Sequence, residues 1–164
     1  IAAIDEARGS QDSLGSSVEA MIVNLPMGIG EPWFDGLEPA LARVLMAIPA
    51  ARAVEFGRGV LASRMSGSEH NDPWSINDGV PNLERGADGA LGGLSSGTPL
   101  RVKVHFKPPS SIAKPQNTAN ITTGKMELLE IGGRHDPVLG PRAAPVVQAV
   151  CELVVADLLL RSKI

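Results

Sequence analysis

Residues 98–109, "TPLRVKVHFKPP", decide the fold class. Leu100, Val102, Val104 and Phe106 alternate with Arg101, Lys103 and His105. Successive side chains of an extended chain point to opposite faces, so this pattern predicts a strand with one face in a core and one in water. One-sided strands of this kind belong to antiparallel sheets. Pro108 and Pro109 then end the strand, because proline cannot donate to the ladder.

Working outward, the neighbouring segments supply partners for that strand. Upstream, "SVEAMIVNLP" (17–26) carries an apolar run that Pro26 ends, and "RAVEFG" (52–57) predicts a short strand. Between them, "GLEPALARVLMAI" (36–48) repeats Leu37, Leu41, Val44, Leu45 and Ile48 at helical spacing. Pro39 fits only a first turn, so this helix is expected to start near Leu37 or Glu38, with Asp35 as its cap. Downstream, "MELLEI" (126–131) is another strand candidate. "PRAAPVVQAVCELVVADLLLRSK" (141–163) places Ala143, Val147, Val150, Cys151, Val154 and Leu158 on one helical stripe. Residues 1–17 read as a charged, turn-rich entry. Residues 57–90 read as mostly loop, long enough to be a candidate lid over 60–90. Strands mixed with two long helices predict an α+β domain.

Composition narrows the function classes. A chain of 164 residues, 43% hydrophobic and 20% charged, suits one folded domain. A net charge of −3 and a pI near 5.6 argue against a broad nucleic-acid footprint. No apolar run is seen to approach the roughly 20 residues that span a bilayer, and no signal-peptide pattern opens the chain. The expected location is therefore cytoplasmic, without a membrane partner. The single cysteine, Cys151, excludes an internal disulfide and falls in the helical stripe as a core thiol. The chain begins at Ile1 without methionine, which suggests a trimmed piece.

Three loops offer chemistry. "GALGGLSSGTP" (89–99) lets backbone amides face a ligand with no side chain between, or is simply a flexible turn. "KPPSSIAKP" (107–115) presents Lys107, Ser110 and Ser111 directly after the alternating strand, one cation and two hydroxyls suited to a phosphate, or else a solvated basic turn. "GGRHDP" (132–137) packs three ionisable groups between glycines and a proline. Arg134 can contact an anion bidentately, and Asp136 can accept a proton if burial raises its pKa. His70, His105 and His135 lack metal-ligand spacing, so no metal site is expected. No G-x-S-x-G elbow is present. Residue chemistry alone reaches an α+β domain with an anion pocket built from loops.

Taken in order, "GIGEPWFDGLEPALARVLMAIPAARAVEFGRG" (28–59), "SGSEHNDP" (66–73), "GALGGLSSGTPL" (89–100), "KPPSSIAKPQNT" (107–118) and "GRHDPVLGPRAAPVVQA" (133–149) resemble the C-terminal half of chorismate synthase. The resemblance implies a lyase of the shikimate pathway, in aromatic amino-acid biosynthesis. It implies anti-1,4 elimination of phosphate from 5-enolpyruvylshikimate 3-phosphate to give chorismate. Reduced FMN is the implied cofactor, NADP is also associated with the family, and the assembly is a cytoplasmic homotetramer. The implied fold is part of a β-α-β sandwich, antiparallel sheets flanking a helical layer. By position, the FMN contacts fall on Pro49, Ala50, Gly92, Lys107, Pro108, Pro109, Ser110, Ser111 and Arg134, and Asp136 matches the aspartate that passes a proton. "RGADG" (85–89) departs from the family's usual pattern there. The family's two catalytic histidines and most of its substrate-phosphate arginines would lie outside this chain, which alone is expected to be inactive. The alternative is a non-catalytic flavin- or phosphate-binding piece, or a structural part of an assembly.

Overall fold

The computed structural model describes residues 1–83 and 88–162. Its elements run α1 (Ala2–Gly9), β1 (Ser16–Ile22), α2 (Leu37–Leu45), β2 (Ala51–Phe56), α3 (Gly67–His70), β3 (Trp74–Asn77), β4 (Val80–Leu83), β5 (Ala90–Leu91), β6 (Leu94–Ser95), β7 (Leu100–Phe106), β8 (Gln116–Asn120), β9 (Lys125–Leu129) and α4 (Gly140–Arg161). The strand read from "TPLRVKVHF" is β7. It is the middle strand of a three-stranded antiparallel sheet in the order β1-β7-β2.

The alternation works as expected. Leu100, Val102, Val104 and Phe106 are all buried, Val102 and Val104 completely. Across the strands, Val104 stands opposite Val18 on one side and Val54 on the other. The opposite face is a charge ladder: Lys103 lies between Glu19 and Glu55, and His105 meets Glu55 at 3.1 Å. Helices α2 and α4 pack together and cover the apolar face. Helix α2 buries Leu37, Ala40, Leu41 and Leu45, while α4 buries Ala143, Val147, Cys151, Val154 and Leu158. Burial of a leucine side chain contributes about 1.5–3 kcal/mol, so each of these buried positions is a substantial stabilising contact. The α+β expectation is met: among the described residues one three-stranded sheet and three two-stranded ones accompany the helical layer.

Four expectations change. Asp35 does not cap α2. Gly36 is the N-cap, and the Leu37 amide instead donates to the Gly93 carbonyl at 2.8 Å, while Asp35 pairs with Arg43 at 3.7 Å. A cap supplied by another loop has no local sequence signature. The entry segment contains α1, a short helix burying only Ala7, so it carries no apolar stripe to read. Residues 60–90 are not bare loop: β3 and β4 form a hairpin around Asp78 and Gly79, at φ 52° and 79°. Two positive φ values mark the Asp-Gly turn that matches strand twist, and "NDGV" carried that signal. Finally, α4 is long and apolar enough to span a membrane by length and composition, with mean hydropathy 1.9 over its best window. Arg142, Gln148, Glu152 and Asp157 interrupt the run to the eye but not on average. Its buried stripe packs on β1 and α2 as a core helix does, while Val146, Leu153 and Leu160 face outward.

Leu41→Ala removes a side chain with no exposed surface and should cost about 2–5 kcal/mol, read as a fall in urea midpoint. Gly93→Ala should also destabilise. Gly93 sits at φ 92°, and a Cβ there would run into the Glu31 carbonyl. Gly92→Ala, with open space around its Cβ position, should lose less.

Candidate functional site

The end of β7 delivers the first site residue. Phe106 is fixed in the core, so Lys107 must emerge at the rim of the sheet. Its amide donates to the Ala50 carbonyl at 3.0 Å, which brings Pro49 and Ala50 alongside. Ala50 has φ 69°, a left-handed conformation unfavourable for a side-chain-bearing residue by about 1 kcal/mol or more. The Lys107 ammonium then donates to Ser110 Oγ at 2.9 Å.

The entry segment straps this loop in place. Ser13 Oγ donates to the Pro109 carbonyl at 2.7 Å, the Lys114 amide donates to the Gln11 carbonyl at 3.1 Å, and Lys114 Nζ donates to Asp12 Oδ2 at 2.9 Å. The Lys114 hydrogen bond, aided by the Ser13 amide, holds the Asp12 carboxyl below its ordinary pKa. The same segment reaches the third loop, since the Leu14 amide donates to the Pro137 carbonyl at 2.8 Å. Residues 11–14 thereby join the 107–115 loop to the 131–138 loop.

In that third loop Ser111 Oγ meets His135 Nδ1 at 3.0 Å, and His135 Nε2 meets the Ile131 carbonyl at 3.0 Å. Asp136 lies between two guanidiniums, Arg134 at 3.6 Å and Arg142, in the first turn of α4, at 3.1 Å. Its side chain is 33% exposed. The surroundings of Asp136 are cations and solvent rather than the apolar burial that the sequence argument invoked. Ser16 Oγ, one residue pair from Lys107 along β1–β7 and beside Gly140, is buried with no hydrogen-bond partner among the described residues.

Pro49, Ala50, Lys107, Pro108, Pro109, Ser110, Ser111, Arg134 and Asp136 therefore belong to one rim of the sheet. Gly92 does not join them. It forms the β5–β6 turn with Gly93, whose carbonyl meets the first amide of α2, whereas Pro49 lies beyond the other end of that helix. The nine-residue helix that lies between them is about 14 Å long. The rim is open: Arg134 is 79% exposed. A cleft of about 700 Å³ lies instead between β1 and α4, lined by Val18, Met21, Pro145 and Cys151. Burial pushes the Cys151 thiol up to about 11, so it is a core group.

A second cleft, about 390 Å³, contains His70 and Asp88, paired at 3.1 Å. Of the departing stretch, Asp88 and Gly89 are described; Arg85 to Ala87 lie outside the described residues. Burial, with the Asp88 charge adding to it, raises the Glu38 carboxyl above its usual range. Sequence reading missed Asp12, Ser13, Ser16 and Arg142. Only Arg142 left a signal, a cation in the first turn of the helix that follows "GRHDP".

The strap has a pH signature. A carboxylate with a depressed folded pKa adds stability above its unfolded pKa and loses it as pH falls through the folded one. Lys114→Met should therefore lower the denaturation midpoint at neutral pH, with the gap from wild type closing below about pH 4.

The sequence matches the family described as chorismate synthase over residues 1–160. It is 49% identical to the chorismate synthase of Aeropyrum pernix over 158 residues, 96% of this chain and 42% of that protein. It is 47% identical to that of Dehalococcoides mccartyi, strain BAV1, covering 100% of this chain and 45% of that protein. Among solved structures, "Crystal Structure of Chorismate Synthase" matches with a TM-score of 0.75 and 28% identity, over 98% of this chain and 41% of that one. The chain thus spans less than half the length of these relatives. In sequence and in fold alike, it belongs to the chorismate synthase family.

Proposed function

We propose that this chain forms the cofactor-phosphate wall of a chorismate synthase active site. The reaction is the FMN-dependent anti-1,4 elimination of phosphate from 5-enolpyruvylshikimate 3-phosphate, giving chorismate. The observation that carries this reading is the gathering of Lys107, Ser110, Ser111, Arg134 and Asp136 on one rim by the 11–14 strap.

These residues fit a phosphorylated flavin. Lys107 and Arg134 supply cations, Ser110 a hydroxyl, and the orphaned Ser16 hydroxyl an unused hydrogen-bonding group nearby. Bound reduced FMN would lend electron density as phosphate leaves and recover it, so that the reaction has no net redox change. Around it, the chain's own work is electrostatic: fixed donors stabilise anions where water is excluded. Asp136, oriented by Arg142, is the residue that passes on the proton lost by the substrate. Pro49 and Ala50 contribute backbone at the edge of the same wall, and Gly92 a contact at the far side.

An open wall needs a facing one. The outward apolar residues of α4 and a chain length under half that of the relatives support a reading in which this chain alone binds flavin without turnover. The complete enzyme works in the cytoplasm as a homotetramer, supplied with reduced flavin from outside the chain. The second reading, a flavin-binding piece without catalysis, predicts no phosphate release even when the remaining half is supplied.

In the complete enzyme, Asp136→Asn should lower turnover about a hundredfold or more while FMN affinity changes little. Equal losses in both would remove its proton-transfer role. Lys107→Ala should weaken FMN binding about tenfold or more, as expected for a charge-assisted hydrogen bond of roughly 1.5–3 kcal/mol. An unchanged flavin titration would remove that contact.

A further inference from the structure

His135 has no task in the sequence pattern, and the flavin reading leaves it unused. We infer that His135 is a positioning residue that turns Ser111 into a hydrogen-bond acceptor, so that two adjacent serines present opposite polarity to the ligand. The inference rests on the flavin reading above.

The available protons decide the polarity of each hydroxyl. A carbonyl oxygen only accepts, so the nitrogen 3.0 Å from the Ile131 carbonyl, Nε2, carries the ring proton. In the neutral ring Nδ1 then holds a lone pair. Ser111 Oγ, 3.0 Å away, must donate its one proton there. With that proton committed, only lone pairs of Ser111 remain to face a ligand.

Ser110 is set the other way. Lys107 has only protons to give, so Ser110 Oγ accepts from it at 2.9 Å. Among the described residues no acceptor takes the Ser110 proton, which stays available to an anion. A phosphate oxygen therefore suits Lys107 and Ser110, whereas Ser111 repels it and suits an N–H or O–H of the same ligand. The wall thus sorts the ligand, anionic end toward Ser110 and donor-bearing portion toward Ser111. His135 acts through Ser111 and need not touch the ligand.

The test uses the full chain, with FMN and inorganic phosphate as probes. Ser111→Ala and His135→Ala should each weaken FMN binding about three- to tenfold, and the double variant should lose no more than either alone. His135→Asn, whose side-chain oxygen can occupy the place of Nδ1, should recover much of the loss. Neither single variant should weaken competition by inorganic phosphate. The ring ¹⁵N spectrum of His135 should show the Nε2–H tautomer. Additive losses, failure of His135→Asn to rescue, equal weakening of phosphate, or an Nδ1–H tautomer would overturn the inference. A wild-type chain that binds no FMN refutes the flavin reading instead, and the tautomer then decides the direction of the Ser111 hydroxyl by itself.

Discussion

Strand β7 is paired along both edges, and every second side chain of it is sealed in the core. That pairing fixes the register, because a slip of one residue would carry Leu100, Val102, Val104 and Phe106 to the solvent face and bring Arg101, Lys103 and His105 into the core. The cost of such a slip is many times any single hydrogen bond. Lys107, the next residue after Phe106, is therefore placed by the core rather than by its own contacts. Everything proposed for the rim inherits its geometry from this strand.

The fold was legible wherever one face of an element is buried. Strand β7, helix α2 and the stripe of α4 all announced themselves through period. What was not legible lacked a period. Helix α1 buries only Ala7, β8 buries no side chain, and the α2 cap comes from Gly93, far along the chain. The site shows the same division. Lys107, Ser110, Ser111, Arg134 and Asp136 stood in punctuated loops and could be named. Which of them meet could not be read, since the strap through Asp12, Ser13 and Leu14 joins segments about a hundred residues apart by single side-chain and backbone hydrogen bonds that leave no local pattern.

The two ends of the sheet differ in character. One rim gathers cations, hydroxyls and the Asp136 carboxylate in the open. The other end, around Gly57, Asp88 and Gly89, holds the His70–Asp88 pair in a partly enclosed cleft. We take the first as the proposed flavin wall because its cations and hydroxyls suit a phosphate.

If the rim formed by residues 107–111 and 131–136 receives the phosphate end of a flavin, backbone amide shifts of the full chain should report it during titration with FMN and, separately, with riboflavin. FMN should induce changes centred on Lys107, Ser110 and Arg134 that riboflavin, lacking the phosphate, fails to reproduce. Changes centred on the His70–Asp88 cleft, or identical responses to the two flavins, would overturn this placement.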